Sequence, residues 1–320
     1  MKIKIDLKDK RILYELDKNS RTPSSQIAKK VGLSSEAVNY RIKKLEKEDI
    51  ITQYQLIINL AKLDIIQFKI CLALQYIKKE QIKLIIDKLK KNNSVKWIVS
   101  SRGNWDLILS LETNSLEKID NLKNNILELF KGSIREKALS ILVEAETYPR
   151  NYLLDEKNLT SSRVIMKKDS IVKLDEVDLT ILKELTKSAR IPLVNLAEKL
   201  KSTPRIINYR IKQLEKKGII LGYKIAINYK KLGIRFHKLF IYLGKAKEEK
   251  IKSLVNYFIN QKNIIHNVRV IGNWDFEPEI EVYSEEEFDK ILVELKEEFS
   301  EIIQKIEVIT IKKEHKFVYF

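Results

Sequence analysis

Two short stretches of the chain place an amide, a phenol and a guanidinium on consecutive residues. The first is Asn39-Tyr40-Arg41 and the second is Asn208-Tyr209-Arg210. An asparagine can pair in bidentate fashion with an adenine edge, and an arginine can bind a guanine edge or a phosphate. Lys43 and Lys212, two residues after each arginine, suit phosphate alone. These residue types therefore predict contacts with double-stranded DNA.

A helix has to present these side chains. Val38, Ile42 and Leu45 follow at helical spacing and predict a helix that ends near Lys47, with these three residues facing a core. Before it, an apolar stripe ends at Gly32, which suits a left-handed turn. The sequence thus predicts a helix-turn-helix, whose second helix enters the major groove. The expected DNA-binding residues are Ser34, Ser35, Glu36, Asn39, Tyr40, Arg41, Lys43 and Lys44 in the first stretch, and Thr203, Arg205, Asn208, Tyr209, Arg210 and Lys212 in the second.

The two arginines and two tyrosines each leave a choice open. The direction of the helix places Arg41 and Arg210 nearer its side, which favours phosphate over a base. Tyr40 and Tyr209 fit equally well a phosphate contact or a hydroxyl packed at the domain surface.

The second stretch belongs to a repeat of the first at an offset of 169 residues. Residues 39–54 match residues 208–223 at 11 of 16 positions, and Gly103-Asn104-Trp105-Asp106 recurs as Gly272-Asn273-Trp274-Asp275. The repeated unit has about 145 residues, far more than the repeats that build solenoids or propellers. The chain therefore contains one module twice.

Charge is concentrated in the first third of each module. The 320 residues carry 61 Lys and Arg against 44 Asp and Glu, a net charge of +17. Residues 1–62 hold +6 and residues 170–232 hold +8, so the remainder is close to neutral. Such a basic surface predicts a polyanionic partner, and its place in the module points to DNA.

The apolar and charged signature of the basic third resembles the Lrp/AsnC family, the leucine-responsive and asparagine-synthesis regulators. Asp49 and Gln53 replace two of the expected glycines in the first copy. The second copy carries the pattern at Leu174 to Leu182, Arg190, Leu196-Ala197, Arg210-Ile211, Leu214-Glu215, Gly218-Ile219-Ile220 and Gly222-Tyr223; the first carries it at Asp6, Asp9, Arg21, Ile27-Ala28, Gly32, Arg41-Ile42, Leu45-Glu46 and Ile50-Ile51. The resemblance implies a tandem fusion of a winged helix-turn-helix and a ligand-sensing domain.

The neutral part of each module reads as β-α-β-β-α-β. This order predicts an α+β fold with two winged helix-turn-helix domains and two ferredoxin-like domains, as the resemblance also implies. The predicted strands of the first copy are 53–59, 67–76, 95–101 and 105–112, and the predicted helices are 79–91 and 116–130. The expected domains are 1–52 and 174–221 for DNA binding, 53–153 and 222–320 for sensing and dimerisation, and 154–173 as linker.

The repeated Gly-Asn-Trp-Asp tetrad is a candidate effector site. In the resembling family a sensing domain binds small effectors, often amino acids, and the expected residues are Gly103, Asp106, Gly272 and Asp275. A glycine and an aspartate at a hairpin more often provide turn geometry than a binding site. Pro278, in the strand that follows the second tetrad, predicts an edge or a bulge. Self-association of pseudo-dimers is left open.

Several function classes lack the residues they require. One cysteine and three histidines provide no thiolate zinc site, and the 8 glycines form neither a P-loop nor a dinucleotide fingerprint. We therefore expect no metal, no cofactor, no catalytic residue, no enzyme activity, no membrane partner and a cytoplasmic location. Two alternatives stay open: an enzyme resembling the siroheme decarboxylases, which share this domain arrangement, and an architectural protein that coats DNA.

Overall fold

The computed structural model describes residues 3–154 and 163–318. Within those ranges the helices are α1 (Leu7–Lys18), α2 (Ser24–Val31), α3 (Ser35–Lys47), α4 (Lys79–Lys90), α5 (Leu116–Leu129), α6 (Glu176–Lys187), α7 (Leu193–Lys199), α8 (Pro204–Lys216), α9 (Glu248–Asn260) and α10 (Glu285–Glu298). The strands are β1 (Ile51–Ile58), β2 (Ile66–Leu74), β3 (Val95–Arg102), β4 (Leu107–Thr113), β5 (Ile134–Thr147), β6 (Val164–Lys167), β7 (Ile220–Ile227), β8 (Arg235–Leu243), β9 (Ile264–Ile271), β10 (Glu279–Val282) and β11 (Ile303–Phe317).

Helices α1–α3 form one three-helix unit, here named head one, and α6–α8 form head two. Asp6 caps α1 and accepts a hydrogen bond from the backbone of Asp9 at 2.7 Å; Asp175 caps α6 in the same way. Side-chain oxygens at these positions satisfy amides that the first helical turn leaves without partners. The paired capping residues explain why the same aspartates occur in both copies.

The turn between the second and third helices of each head is left-handed. Gly32 has φ +65°, and Lys201, at the homologous position, has φ +49°. A side chain in this conformation costs about 1–2 kcal/mol, so head two keeps the turn with strain that head one avoids. Asp49 (φ +53°) likewise takes the conformation of Gly218 (φ +66°), which explains how an aspartate substitutes for a glycine there.

The two ferredoxin-like domains are confirmed, with one shift in their first strand. Copy one runs β2-α4-β3-β4-α5-β5 and copy two runs β8-α9-β9-β10-α10-β11. The strand predicted at 53–59 is present as β1, but it lies outside this unit. Strand β10 has only four residues and begins after Pro278, which agrees with the expected disturbance of that strand.

The two four-stranded sheets join edge to edge into a closed barrel. Its strand order is β2-β4-β3-β11-β8-β10-β9-β5, and β5 pairs with β2 to complete the circle. Alternate residues of β2 face opposite sides: Phe68 and Ile70 pack outward with α4 and α5, whereas Cys71 packs inward with Trp105 and Trp274. Closure leaves none of these eight strands as a free edge.

Strands β1 and β7 form a separate antiparallel ribbon that joins the two copies. Tyr54 pairs with Ile225 and Leu56 pairs with Tyr223. The ribbon also exchanges core residues between the heads. Leu56 of copy one packs in the core of head two, and Ile225 of copy two packs in the core of head one. Each head therefore needs a strand from the other copy to complete its core.

The predicted linker at 154–173 falls partly outside the described residues. Its described part contains β6, which pairs with the last four residues of β5, Glu144 to Thr147. It also contains Val172, whose amide donates to the carbonyl oxygen of Lys62 at 2.8 Å. None of the helices in 3–154 and 163–318 combines the length and the apolar composition that a membrane crossing requires.

Candidate nucleic-acid interface

Helix α3 presents one polar face and one buried face. Val38, Ile42 and Leu45 are buried in the core of head one, as the spacing predicts. Ser34, whose side chain accepts from the amide of Ala37, caps the helix. Ser35 is partly covered. The exposed candidates on this face are Ser34, Glu36, Asn39, Tyr40, Lys43 and Lys44.

Helix α8 offers a related face with different chemistry. Thr203 caps it by accepting from the amide of Ile206, and Arg205 takes the position that Glu36 holds in head one. The exposed candidates are Thr203, Arg205, Tyr209 and Lys212, whereas Asn208 is partly covered. The two faces differ by two charges at one homologous position, because a carboxylate in head one is replaced by a guanidinium in head two.

The two asparagines also differ in their surroundings. The Ser24 hydroxyl donates to Asn39 Oδ1 at 2.5 Å, whereas Leu193 stands at the position of Ser24 in head two. In Asn39 one lone pair of the amide oxygen is thus already used, and the amide N–H groups remain for a base. Asn208 has no matching hydroxyl beside it.

Arg41 and Arg210 are held inside their own heads. Arg41 Nη1 lies 2.7 Å from Asp6 Oδ2 and 2.7 Å from Asp9 Oδ1, and Arg210 makes the same pair of contacts with Asp175 and Asp178. The hydrogen bond from the Asp9 amide and the Arg41 guanidinium lower the pKa of Asp6. These contacts tie α3 to the start of α1 in head one and α8 to the start of α6 in head two, and the phosphate contact expected for both arginines stays a prediction.

Tyr54 and Tyr223 of the ribbon each contact the third helix of their own head and an arginine of the other head. The hydroxyl of Tyr54 donates to Glu46 Oε1 at 2.5 Å, and that of Tyr223 donates to Glu215 Oε1 at 2.6 Å. The guanidinium of Arg21 in head one lies 5.4 Å from the ring centre of Tyr223, the range of a cation–π contact. Arg190 and Tyr54 repeat this contact at 5.4 Å in the other direction. The two recognition helices are thus linked through a packed, pseudo-symmetric junction.

The Gly-Asn-Trp-Asp tetrads lie at the seams of the barrel. Gly103 has φ +119°, and a Cβ there would lie 2.4 Å from the carbonyl oxygen of Val308 in the other copy. A Cβ at Gly272 would lie 2.8 Å from the carbonyl oxygen of Leu139. Both glycines therefore permit the close approach of strands that closes the barrel.

The aspartates of the tetrads bind backbone amides. Asp106 accepts from the amide of Leu74 at 2.8 Å, and Asp275 accepts from that of Leu243 at 2.7 Å. Trp105 and Trp274 meet in the barrel core at a ring-centre distance of 6.2 Å. These contacts give the tetrads a structural role, and effector binding by Gly103, Asp106, Gly272 and Asp275 stays a prediction.

Comparisons with known proteins identify both heads. A family model described as winged helix-turn-helix DNA-binding matches residues 5–52 and again 174–220. HTH-type transcriptional regulator LrpA of Bacillus subtilis is 32% identical over 123 residues, which cover 38% of this chain and 89% of that protein. An uncharacterised HTH-type transcriptional regulator of Pyrococcus furiosus is 30% identical over 44% of this chain and 97% of its own length.

The chain belongs to the Lrp/AsnC family. The resemblance seen in the sequence is thereby confirmed, and the two matches to one model agree with a tandem duplication. Other alignments are shorter: those with LrpC of Bacillus subtilis and LrpA of Pyrococcus horikoshii cover 44% and 60% of those proteins.

The expectation that the chain is not an enzyme, which the residue types suggested, is wrong. The crystal structure of the siroheme decarboxylase NirDL matches with a TM-score of 0.62 over 98% of this chain and 93% of that one. At 14% identity the likeness concerns the fold alone. An enzyme thus uses this architecture, and the fold gives no ground for excluding catalysis because activity depends on the side chains of a site.

Buried charges inside the barrel were missed in the sequence. Lys238 Nζ lies 2.9 Å from both Glu277 Oε2 and Glu279 Oε1, and Lys69 pairs with the same Glu277. The two lysines hold homologous positions in otherwise apolar strands, which is the signal that could have indicated paired interior charges. Elsewhere Asp17 lies between Arg150 and Lys224, which lower its pKa against the opposing effect of burial.

Proposed function

We propose that this protein is a sequence-specific DNA-binding transcription regulator that acts as a pseudo-dimer within one chain. The observation that carries the proposal is the pair of family-matched heads, each with a polar, lysine-bearing recognition helix exposed on one side. Helices of this kind bind DNA with the residues near their N-terminus on base edges and the flanking cations on phosphates. DNA as the partner also supports action in the cytoplasm.

The two heads support recognition of unlike half-sites. Glu36 and Arg205 occupy the same position, and a glutamate accepts from the N4 amino group of cytosine whereas an arginine binds guanine O6 and N7. Selection of binding sites from random duplexes tests this point. We expect an asymmetric or loosely palindromic operator, and a perfect inverted repeat would contradict unequal reading by the two heads.

Salt dependence tests the use of the basic surface. If each head neutralises about 3–5 phosphates, log K should fall with log[salt] by about 0.9 per phosphate. Affinity that barely changes with salt would contradict binding through these heads. A ratio of specific to non-specific affinity below about 10³ would instead support an architectural protein that coats DNA.

We also propose that a small effector modulates DNA binding. Amino acids are the expected class for the sensing domains, with the tetrad residues as the expected site. A titration with amino acids, repeated on Asp106→Asn, tests that site. If an amino acid changes the DNA affinity of the unmodified protein, loss of that change in a folded Asp106→Asn protein would support the assignment. An unaltered change in affinity would contradict it.

A second candidate function is siroheme decarboxylation, because the NirDL architecture matches over nearly the whole chain. The test is an absorbance spectrum of the protein during addition of siroheme, followed by analysis of the tetrapyrrole products. A saturable spectral change with loss of CO₂ would favour the enzyme, whereas an unchanged spectrum together with selected DNA binding would favour the regulator.

A further inference from the structure

A cavity of about 220 Å³ lies between the β1–β7 ribbon and the interior of the barrel. Its walls include Gln55 and Ile57 of β1, Lys224 and Ala226 of β7, and inward-facing residues of the barrel strands. At about 30 Å³ per molecule of liquid water, it has room for about seven waters or one small organic molecule. Both copies thus contribute to one space under the ribbon that joins the heads, and this space is open to solvent on one side, where Glu314 is exposed.

The wall of this cavity is pseudo-symmetric in position and asymmetric in chemistry. In a homodimer, homologous positions around a two-fold axis carry identical residues. In this single chain the homologous positions can carry different residues, and the two sides of the cavity therefore differ in chemistry. The lining pairs at the 169-residue offset are Gln55 and Lys224, Ile57 and Ala226, Gln67 and Phe236, Trp97 and His266, Ser110 and Glu279, and Ala145 and Glu314.

The lysines and the arginine of the wall are already engaged by protein groups. Lys69 pairs with Glu277. Lys224 Nζ lies 3.1 Å from Asp17 Oδ2 and donates to the carbonyl oxygen of Tyr148 at 2.7 Å. Arg150 pairs with Asp17 and, at 2.8 Å, with Glu281. A ligand carboxylate would have to displace one of these buried pairs, which costs several kcal/mol in proteins.

The hydrogen-bond acceptors of the wall have fewer protein partners than its cations have. Glu314 Oε2 accepts from Trp97 Nε1 at 2.8 Å, and within 3–154 and 163–318 this carboxylate has no cation in ion-pair range. Glu279 is paired to Lys238 through Oε1 alone. His266 Nδ1 lies 3.0 Å from Thr147 Oγ1, which leaves its other ring nitrogen for a further partner. The unmet capacity of the cavity is thus mainly for a hydrogen-bond donor with positive charge.

We propose that this cavity binds a small organic ammonium ion, held by the carboxylate of Glu314 with its carbon body against Trp97, Tyr229 and Phe236. A charge-assisted hydrogen bond would pair the Glu314 carboxylate, which has no cationic partner among the described residues. Aromatic walls bury the carbon body and attract a cation through their ring faces. Amines without a carboxylate are the predicted class, because the wall has no free cation for a carboxylate among its described residues.

A ligand in the cavity could also affect the two heads through the ribbon. The ligand would touch both strands of the ribbon, and each strand completes the core of the opposite head. Coupling to DNA affinity follows if the ligand favours one arrangement of the ribbon. This coupling rests on the proposed function, whereas binding of the amine does not.

Calorimetric titration of the full chain without DNA tests the binding. The probes are 2-phenylethylamine, 3-methylbutylamine and 1,4-diaminobutane, each compared with the amino acid of the same carbon body: phenylalanine, leucine and ornithine. We expect at least one amine to bind saturably and at least about 10-fold more tightly than its amino acid, a difference of about 1.4 kcal/mol. Binding by none of the three amines, or equal binding by the amino acids, would overturn the proposal.

Variants locate the bound amine. Glu314→Gln keeps the size of the side chain and should weaken binding at least about 10-fold, and Ala145→Leu should exclude the ligand by filling the cavity without a change of charge. Glu297→Gln, on the exposed face of α10, is the matched control and should bind normally. Thermal unfolding verifies that each variant is folded. Unchanged binding in a folded Glu314→Gln protein would overturn the assignment.

Discussion

The role of Arg41 can be separated into a structural and a DNA-binding part by one pair of variants. Arg41→Ala removes a guanidinium that bridges two carboxylates within head one. Lys43→Ala removes an exposed cation from the same helix, with no ion pair to a described residue. If the bridge is the main role of Arg41, the first variant should lose stability and the second should lose phosphate contacts.

The size of the stability effect follows from the exposure of the three groups. The side chains of Arg41 and Asp9 are 27% and 12% exposed, so their contact is partly protected from solvent, whereas Asp6 is 54% exposed. A surface pair contributes about 0–1 kcal/mol, and a hydrogen bond to a charged group contributes about 1.5–3 kcal/mol when better buried. The α1 cap survives the change because its backbone hydrogen bond does not involve Arg41. We expect a loss of about 1–2 kcal/mol for Arg41→Ala.

Urea unfolding and salt-dependent DNA binding are the two assays. Lys43→Ala should reduce the slope of log K against log[salt] by about 0.9 with unchanged unfolding. If the bridge is the main role of Arg41, Arg41→Ala should shift unfolding and leave the slope unchanged, whereas the phosphate contact expected from the sequence would lower the slope by about 0.9. Arg210→Ala should repeat this behaviour in head two. The reasoning is refuted if Arg41→Ala lowers the slope by about 0.9 and leaves the free energy of unfolding unaltered, since the guanidinium would then act on a phosphate.

Three further predictions concern specificity, acid and barrel closure. The double variant E36R/R205E should exchange the bases that the two half-sites prefer in a random-duplex selection. The discrimination between the preferred and the wrong base at that position should be about 1–3 kcal/mol. Unchanged half-sites would contradict base reading by these two residues. Burial lowers the pKa of His266 from 6.5 to about 4, so the unfolded chain takes up a proton first as the pH falls, and up to about 3 kcal/mol of stability should be lost between pH 6.5 and 4. His266→Gln should flatten this part of the stability profile, and an equally steep profile would count against the shift. Gly103→Ala should cost at least about 2 kcal/mol because its Cβ would overlap a carbonyl oxygen of β11, whereas Gly132→Ala, in open space at φ +77°, should cost about 1 kcal/mol; equal losses on thermal unfolding would contradict the close approach.

Local elements were predictable because their signals are local. Val38, Ile42 and Leu45 specify the buried face of α3 by spacing alone, and Ser34 specifies its start by capping. The repeat predicted the second head, because the same local signals recur 169 residues later. The order of strands and helices was sufficient for the ferredoxin-like domains.

Pairings between the copies were not predictable from one sequence. Strand β1 has the pattern of an ordinary first strand, and nothing within it specifies that Leu56 completes the core of head two. Barrel closure depends in the same way on contacts between residues about two hundred positions apart, such as Gly103 with Val308. The cavity is a property of both copies together, so no single motif carried its signal.

The exchange of cores between the heads has a consequence for synthesis of the chain. Head one includes Ile225 and Ile227 in its core, so it lacks part of its packing until the ribosome has passed residue 227. At about 5–20 residues per second, β1 waits roughly 10–35 s for its partner strand. During that interval Leu56 and Ile58 of β1 lack the head-two residues against which they pack in the folded chain. A chain released early, before β7, would hold a head that is complete in sequence and incomplete in structure.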